Sequence, residues 1–296
     1  MGIRIKATGT SRGGSTNSIV EHSGHAARIS LERAGIGPEQ VGVLINAGVF
    51  RDSNTVEPAV SALIQKAAGI GLDYHSKDDP RTFSFDLMNG AVGVLNAVQV
   101  ATATLAAGGV EHVLIVSGDT HPSLERFAAD DEFPYATAGA ALLLERTDDH
   151  EGFGPVHTAT GPGGPAGEAY VDTATMGTVG RSLMTIERVP DFTDRLLEVA
   201  VQAAQAALAG QDLSGIALIA STPSPEFPKL LADALGIDQD SVRTPDLSDG
   251  DPHTAALPLA YDRAVAGDTL GGFSQVLFVA AGAGPSAAAV LYRLAA

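Results

Sequence analysis

Short apolar segments of strand length alternate along this chain with longer segments of helical periodicity. This alternation is typical of α/β proteins, in which sheets are covered by helices. The predicted strands cover residues 41–46, 83–87, 112–117, 138–145, 216–220, 242–244, 275–280 and 287–292. The predicted helices cover residues 24–34, 56–68, 91–107, 192–208, 228–235 and 254–266.

The order of these elements occurs twice, which indicates an internal repeat. Residues 113–118 (VLIVSG), for example, are similar to residues 276–281 (VLFVAA). We therefore expect two similar halves, 1–146 and 191–296, joined by a connecting segment, 147–190.

The connecting segment contains the glycine-rich run GPGGPAG at residues 161–167. A phosphate-binding loop needs a strand before it and a helix after it, and the pattern predicts neither here. The run is therefore interpreted as a flexible linker.

The chain has 296 residues, with 35 acidic and 18 basic side chains, so its formal net charge is −17. Binding to nucleic acid or to an anionic membrane needs a basic surface, so neither is an expected partner. No segment reads as a membrane span or an export signal, because the apolar stretch 91–116 is interrupted by polar residues and glycines. We expect a cytoplasmic protein.

The sequence contains no cysteine. Disulfides, thiolate metal sites and every mechanism that uses a thiol are therefore excluded. His22 and His25 have a spacing that places both on one helix face, but no third ligand lies in register, so a solvated helix is the preferred interpretation. We expect no metal and no resident cofactor.

Four segments resemble the beta-ketoacyl-acyl-carrier-protein synthase III family of the thiolase fold. They are residues 85–93 (FDLMNGAVG), 137–141 (TAGAA), 250–258 (GDPHTAALP) and 282–284 (GAG). The similarity extends over nearly the whole chain. It implies an α/β thiolase fold, in which duplicated βαβαβ halves form a layered α-β-α-β-α architecture. It also implies acyl substrates linked to phosphopantetheine, on acyl carrier protein or coenzyme A.

The start of the chain departs from the family pattern. Residues 1–4 (MGIR) resemble the family's Thr-Gly-Ile-Arg segment, which lies well inside a typical member. On this comparison the first strand and the first helix are missing here. Either the start site is misassigned or the first sheet has lost a strand.

The resemblance implies three catalytic positions, and all three are changed. The family has a cysteine at the N-terminus of a buried helix, where the helix dipole and backbone N–H groups favour a thiolate and an oxyanion. Ala91 stands at that position, Ser221 replaces the family's histidine, and Asp251 replaces its asparagine. Because alanine has no nucleophilic atom, cysteine-dependent condensation by this chain alone is not expected.

His253 is a further candidate, because it lies two residues after Asp251 at the start of a predicted helix. A histidine near a carboxylate can act as a general base. The alternative is a capping turn, in which Asp251 accepts N–H groups and His253 only occupies the first turn. A serine nucleophile also stays open, with residues 117–119 (SGD) and Ser221 at strand ends, although no G-x-S-x-G motif is present.

Three functions remain open, and with them the question whether the chain is an enzyme. The first is a non-catalytic subunit that pairs with an active condensing enzyme, because degenerate subunits of this family form heterodimers in several polyketide and quinolone pathways. The second is an acyltransferase or hydrolase that acts on acyl thioesters with Ser221, Asp251 or His253. The third is a module that binds a small molecule or acyl carrier protein without catalysis.

The family resemblance implies a dimer, either a homodimer or a heterodimer with a homologous condensing enzyme. In this fold the strand predicted at 83–87 pairs across the two-fold axis, and a hydrophobic edge left unpaired would promote aggregation. The apolar helix 91–107 is expected to be buried between layers. The acidic run 130–132 (DDE) is expected to form an exposed loop that contributes to the choice of partner.

Overall fold

The protein contains two large mixed β-sheets, a two-stranded sheet and six α-helices over the residues that the structure describes. The computed structural model describes residues 2–72, 82–123, 133–174 and 184–295, and the acidic run 130–132 lies outside these ranges. The strands are β1 (Gly2–Arg12), β2 (Val41–Asn46), β3 (Phe83–Asp86), β4 (His112–Asp119), β5 (Ala138–Thr147), β6 (Gly152–Phe153), β7 (His157–Thr160), β8 (Gly167–Tyr170), β9 (Thr185–Arg188), β10 (Ile216–Ala220), β11 (Val242–Arg243), β12 (Gln275–Gly282) and β13 (Ser286–Arg293). The α-helices are α1 (Ile19–Ala34), α2 (Val60–Ala68), α3 (Gly93–Ala107), α4 (Phe192–Ala207), α5 (Phe227–Leu235) and α6 (Ala256–Ala266).

The first sheet has five strands in the order β1-β5-β4-β2-β3. Strands β2, β3 and β4 run parallel, and β5 is antiparallel to both of its neighbours. All eight residues of β4 are buried, because helices cover both faces of the sheet. Along β4, Val113 and Ile115 belong to the core between the two sheets, whereas Leu114 and Val116 pack under the outer helices.

The second sheet repeats this arrangement. Strands β11, β10, β12 and β13 follow one another, with the first three parallel and β13 antiparallel to β12. On the far side of β13, β7 pairs with residues 286–289 and β6 with residues 292–293. Together β6 and β7 lie beside β13 as β1 lies beside β5, so the duplication expected from the sequence is visible in the sheet topology.

Helices α3 and α6 lie between the two sheets, and the other four helices cover the outer faces. The central core joins Leu95 of α3 and Leu257 of α6 to Ile115 of the first sheet and Phe278 of the second. A second cluster packs α1 and α2 on the first sheet, and a third packs α4 and α5 on the second. This is the layered α-β-α-β-α architecture that the family resemblance implies.

The central helix is apolar on nearly all sides. The segment Gly90–Ala107 is long and apolar enough to cross a membrane, judged by length and composition alone. Half of it is buried inside the protein, however, and Leu95 and Leu105 pack in the core between the sheets. Burial between two layers accounts for its composition, as expected from the sequence.

The expectation that the first strand is missing is wrong. Residues 2–12 form β1, which pairs with β5 from residue 2 to residue 12, and helix α1 follows it. Ile3 and Ile5 are buried while Arg4 between them is half-buried, which is the period-two pattern of a strand. A match of four residues to a family motif does not test this alternation, so it did not reveal β1.

The interpretation of residues 161–167 as a flexible linker is also wrong. Arg195 of α4 donates a hydrogen bond to the carbonyl of Gly164 at 2.6 Å. The amide of Ala166, which is fully buried, donates to the carbonyl of Ala283. These contacts hold the run against the second sheet, and the segment 147–190 as a whole supplies β6 to β9.

Gly139 allows β5 to approach α1 closely. A Cβ atom at Gly139 would lie 2.6 Å from the backbone carbon of His22 and 2.8 Å from the nitrogen of Ser23. We expect Gly139→Ala to lower the free energy of unfolding by about 1–3 kcal/mol, the usual cost of overpacking, as measured by urea titration. Gly164→Ala is the matched control, because nothing lies within 4 Å of its Cβ position. Equal stability of the two variants would contradict the close contact.

Candidate functional site

The turn between β3 and α3 places Ala91 in the interior. The carboxylate of Asp86 fixes the end of β3, because it accepts a hydrogen bond from the amide of Ser61 at 2.7 Å. The chain then passes through Gly90 with a φ of 52°, a conformation that favours glycine. Ala91 follows, only 4% exposed, two residues before α3 begins.

One pocket brings together all four residues singled out from the sequence. Ala91, Ser221, Asp251 and His253 line it, with further walls from Tyr135, Arg188, Phe192, Leu196, Thr222, Pro223, Ala281, Gly282 and Ala283. Its free volume is about 20 Å³, which is room for about one water molecule. The four positions therefore meet around one small pocket.

The side chains at two of the changed positions are bonded to protein groups. The Oγ atom of Ser221 accepts a hydrogen bond from the amide of Ala281 at 3.0 Å. The Oδ1 atom of Asp251 accepts bonds from the hydroxyl of Thr222 at 2.7 Å and from the amide of His253 at 2.9 Å. The bond to the His253 amide is the local contact expected of a capping turn.

The imidazole of His253 pairs with Asp119 rather than with Asp251. Its Nδ1 atom lies 3.1 Å from Oδ2 of Asp119, a residue fully buried at the end of β4. The same carboxylate accepts hydrogen bonds from the amides of Phe50 at 2.7 Å and Thr254 at 3.1 Å. A buried carboxylate needs such partners, and here they join the first half of the chain to the second.

Aromatic rings enclose this pair. The ring centroid of His253 lies 4.3 Å from that of Tyr135, in a stacked arrangement, and 5.6 Å from that of Phe50. Burial lowers the pKa of His253, but the carboxylates of Asp119 and Asp251 together outweigh burial and raise the pKa above its usual value. Burial would raise the pKa of Asp119, but His253 and its other donors lower it. Both shifts favour an ion pair.

Asp251 has a different electrostatic environment. Burial raises the pKa of its carboxyl, and the positive charges of His253 and Arg188 offset this only in part. Arg188 is the exposed residue of the lining, and its guanidinium lies over the rings of Phe192 at 4.6 Å and Tyr135 at 5.7 Å. The pocket thus offers carboxyl, imidazole and hydroxyl groups, which can exchange protons, but no thiol.

The two histidines considered as metal ligands make other contacts. The ring of His22 is buried, with Nδ1 2.8 Å from the hydroxyl of Ser11 and Nε2 3.1 Å from the carbonyl of Thr16. The solvated helix face expected there is therefore wrong for His22. Within the described ranges, no group of three or more histidine, aspartate or glutamate side chains is placed to hold a metal ion.

Sequence reasoning missed Tyr135 and Arg188 of this pocket, and it named Asp119 only within the strand-end segment 117–119. Asp119 had a signal, because it is the acidic residue at the carboxyl end of an apolar strand, where functional groups of α/β proteins collect. Tyr135 and Arg188 had none, since they reach the pocket from the segment before β5 and from the end of β9.

Comparison with known proteins shows which sequences and folds this chain is similar to. The family model of 3-oxoacyl-[acyl-carrier-protein] synthase III matches residues 85–162. An acyl-CoA:acyl-CoA alkyltransferase of Xanthomonas campestris is 31% identical over 126 residues, which are 40% of this chain and 34% of that protein. A beta-ketoacyl-[acyl-carrier-protein] synthase III of Streptomyces lividans is 27% identical over 272 residues, which are 88% of this chain and 76% of that protein.

Comparison with solved structures also finds a protein of this kind. The crystal structure of the priming beta-ketosynthase from the R1128 polyketide pathway matches with a TM-score of 0.80 at 20% identity, over 99% of this chain and 96% of that one. The chain is therefore a thiolase-fold protein. Over residues 85–162 it is similar to 3-oxoacyl-[acyl-carrier-protein] synthase III, the family that its sequence motifs resemble.

The ion pair predicts a window of pH in which it contributes most to stability. The lowered pKa of Asp119 makes its contribution complete above the ordinary value of 3.8, and the contribution is lost as the pH falls through the lowered pKa. The raised pKa of His253 makes its contribution complete below 6.5, and the contribution is lost as the pH rises through the raised pKa.

We expect Asp119→Asn to cost about 3–5 kcal/mol of unfolding free energy inside this window, because it removes one partner of a buried pair. The cost should shrink on the acidic and on the alkaline side. Urea titrations of both proteins over a series of pH values measure it. His150→Gln, at an exposed histidine, serves as the control. A cost that does not vary with pH would contradict the assigned charges.

Proposed function

We propose that this chain is a non-condensing subunit that pairs with a homologous, cysteine-containing condensing enzyme of fatty acid or polyketide-type biosynthesis. The observation that supports this most directly is Ala91, which lies before α3 in the pocket and has no nucleophilic atom. The proposal includes a cytoplasmic location and acyl groups linked to phosphopantetheine, delivered by acyl carrier protein or coenzyme A.

The contacts inside the pocket support the loss of condensation. Condensing chemistry needs donors that polarise a thioester carbonyl and stabilise the negative charge on its oxygen. Ser221 and Asp251 offer a hydroxyl and a carboxyl, and both are bonded to neighbouring protein groups. A thiol added at residue 91 would therefore lack the groups that make it productive.

An exposed apolar edge supports the pairing. β3 is an edge strand of the first sheet, and the ring of Phe83 at its start is 65% exposed. Met88, just after β3, is 52% exposed, and Val56, before α2, is 72% exposed. Apolar patches and unpaired strand edges mark interfaces. The net charge of −17 opposes self-association, which favours a less acidic partner.

The second candidate is an acyltransferase or hydrolase on acyl thioesters that uses Ser221, Asp251 or His253. The pairing of His253 with Asp119 favours it, because such a pair can accept a proton from a nucleophile. A serine nucleophile is less well supported. The hydrogen bond of the Ser221 side chain runs to the amide of Ala281 and not to His253.

We expect the purified chain to acquire no stable acyl group from acetyl-coenzyme A or acyl-loaded carrier protein, because the pocket offers no thiol. Intact-mass spectrometry measures this. An acyl increment that peptide mapping assigns to Ser221 would overturn the proposal and favour the second candidate. Ala91→Cys is the comparison variant. It should gain an acyl group without gaining condensation, because residues 221 and 251 stay unchanged.

We expect the chain to form a heterodimer with a cysteine-containing homologue from its own genome, which co-expression and light scattering at micromolar concentration detect. Burying a phenylalanine contributes about 1.5–3 kcal/mol, so Phe83→Glu should weaken association about tenfold to a hundredfold. Val265→Glu is the control, because Val265 is 52% exposed on α6, which belongs to the second half of the chain and not to β3. A stable monomer of 30.1 kDa in the presence of such homologues would contradict the pairing.

A further inference from the structure

The pair formed by Asp119 and His253 is separate from the three altered catalytic positions. His253 follows Asp251 by two residues but turns its ring to the carboxylate at the end of β4. The backbone of His253 has a φ of 47°, which is uncommon for a residue with a side chain. This backbone conformation accompanies the orientation of the imidazole towards Asp119.

The contact fixes which ring nitrogen can accept a proton. Because Nδ1 faces Oδ2 of Asp119 at 3.1 Å, the proton of neutral His253 belongs on Nδ1. Nε2 is then the nitrogen with a free lone pair. Stacking on Tyr135 restricts the plane of the ring, so Asp119 sets both the tautomer and the orientation.

Next to the ring there is room for one water molecule, and the N-terminal end of α3 can stabilise negative charge. His253 lines the same pocket as Ala91, and the free volume there is about 20 Å³, enough for about one water molecule. The N-terminal end of α3 starts two residues after Ala91. The positive end of a helix dipole favours negative charge developing nearby.

We propose that Asp119 and His253 form a general-base pair that activates water in this pocket to hydrolyse short-chain acyl thioesters without a covalent intermediate. The inference rests on the proposed class of acyl substrate, but not on pairing with a homologue. His253 is the catalytic base. Asp119, which acts through it, is a positioning residue.

The reaction balances with water and thioester alone. The water oxygen bonds to the thioester carbonyl carbon while Nε2 of His253 takes one proton. The tetrahedral intermediate then collapses, the carbon–sulfur bond breaks, and the leaving thiolate receives the proton from the imidazolium. The products are a carboxylic acid and a free thiol, and His253 returns to its neutral form.

Arg188 lies at the solvent-exposed side of the pocket. It is the exposed residue of the lining, and its contact with the carbonyl of Pro223 is long, at 3.5 Å. The small free volume restricts the acyl group to a short chain, which must displace the Arg188 side chain to bring its carbonyl to His253. We therefore choose acetyl-coenzyme A as the test substrate.

The test measures thiol release from acetyl-coenzyme A by the purified chain, with a thiol-reactive dye, at a series of pH values. The rate should rise with pH through the pKa of His253, because the base must be neutral. Asp119 and Asp251 favour protonated His253 and Arg188 opposes it, while the Tyr135 ring packs against it. The inflection should therefore lie above 6.5, the ordinary value.

His253→Gln should reduce the rate at least a hundredfold, the usual contribution of a general base. Asp119→Asn should lower the rate and also move the inflection to lower pH, a shift that a merely structural role would not produce. His150→Gln, an exposed histidine outside the pocket, should leave both unchanged. Circular dichroism checks that each variant is folded.

Thiol release that is equal in wild type and His253→Gln, or absent in both, would overturn the inference. An inflection that Asp119→Asn does not move would overturn the role of Asp119. Neither result touches the proposed subunit function, which light scattering with the homologue tests separately. Release that proceeds through an acyl adduct visible by intact mass would overturn the direct attack of water.

Discussion

Two sheets share one layer of helices, and this constraint organises the whole molecule. Helices α3 and α6 both pack in the core between the sheets, so the larger part of each helix surface is apolar. Because the two halves have the same topology, these helices begin near each other. Ala91 and His253, which precede α3 and α6, therefore line a single pocket. The position of the site follows from the duplication, independently of which residues occupy it.

The buried carboxylate of Asp119 fixes the position of His253, which lines the pocket. A charge at that depth is costly unless protein groups solvate it. The amide of Phe50 comes from the first half, whereas the imidazole of His253 and the amide of Thr254 come from the second. The same contacts thus join the halves and orient the imidazole, so the stability of the pair and its chemistry cannot be separated.

The pocket in the interior is small, whereas the edge of the first sheet at β3 exposes apolar side chains. The interior pocket has a free volume of about 20 Å³, while the edge at β3 leaves Phe83 and Met88 exposed. An exposed apolar edge is typical of an interface, which supports the proposed pairing with a partner. The small pocket limits any acyl group that enters it to a short chain.

Much of this fold was predictable from the sequence, because strands buried on both faces are nearly continuous apolar runs. β4 and β12 were predicted at their first residues for this reason, and α3 within two residues of its start. β1, β6 and β7 were missed. They lie at the side of each sheet where polar residues interrupt the pattern, so their burial depends on a neighbouring strand.

The sequence by itself determined the duplicated α/β architecture and the absence of a thiol at residue 91, since periodicity and residue type are local properties. Only the tertiary structure decided which carboxylate the ring of His253 contacts. Its nearest carboxylate in sequence, Asp251, accepts a bond from its amide, whereas the partner of its ring, Asp119, lies 134 residues away. The approach of β4 to the start of α6 selects that partner, and no local pattern encodes it.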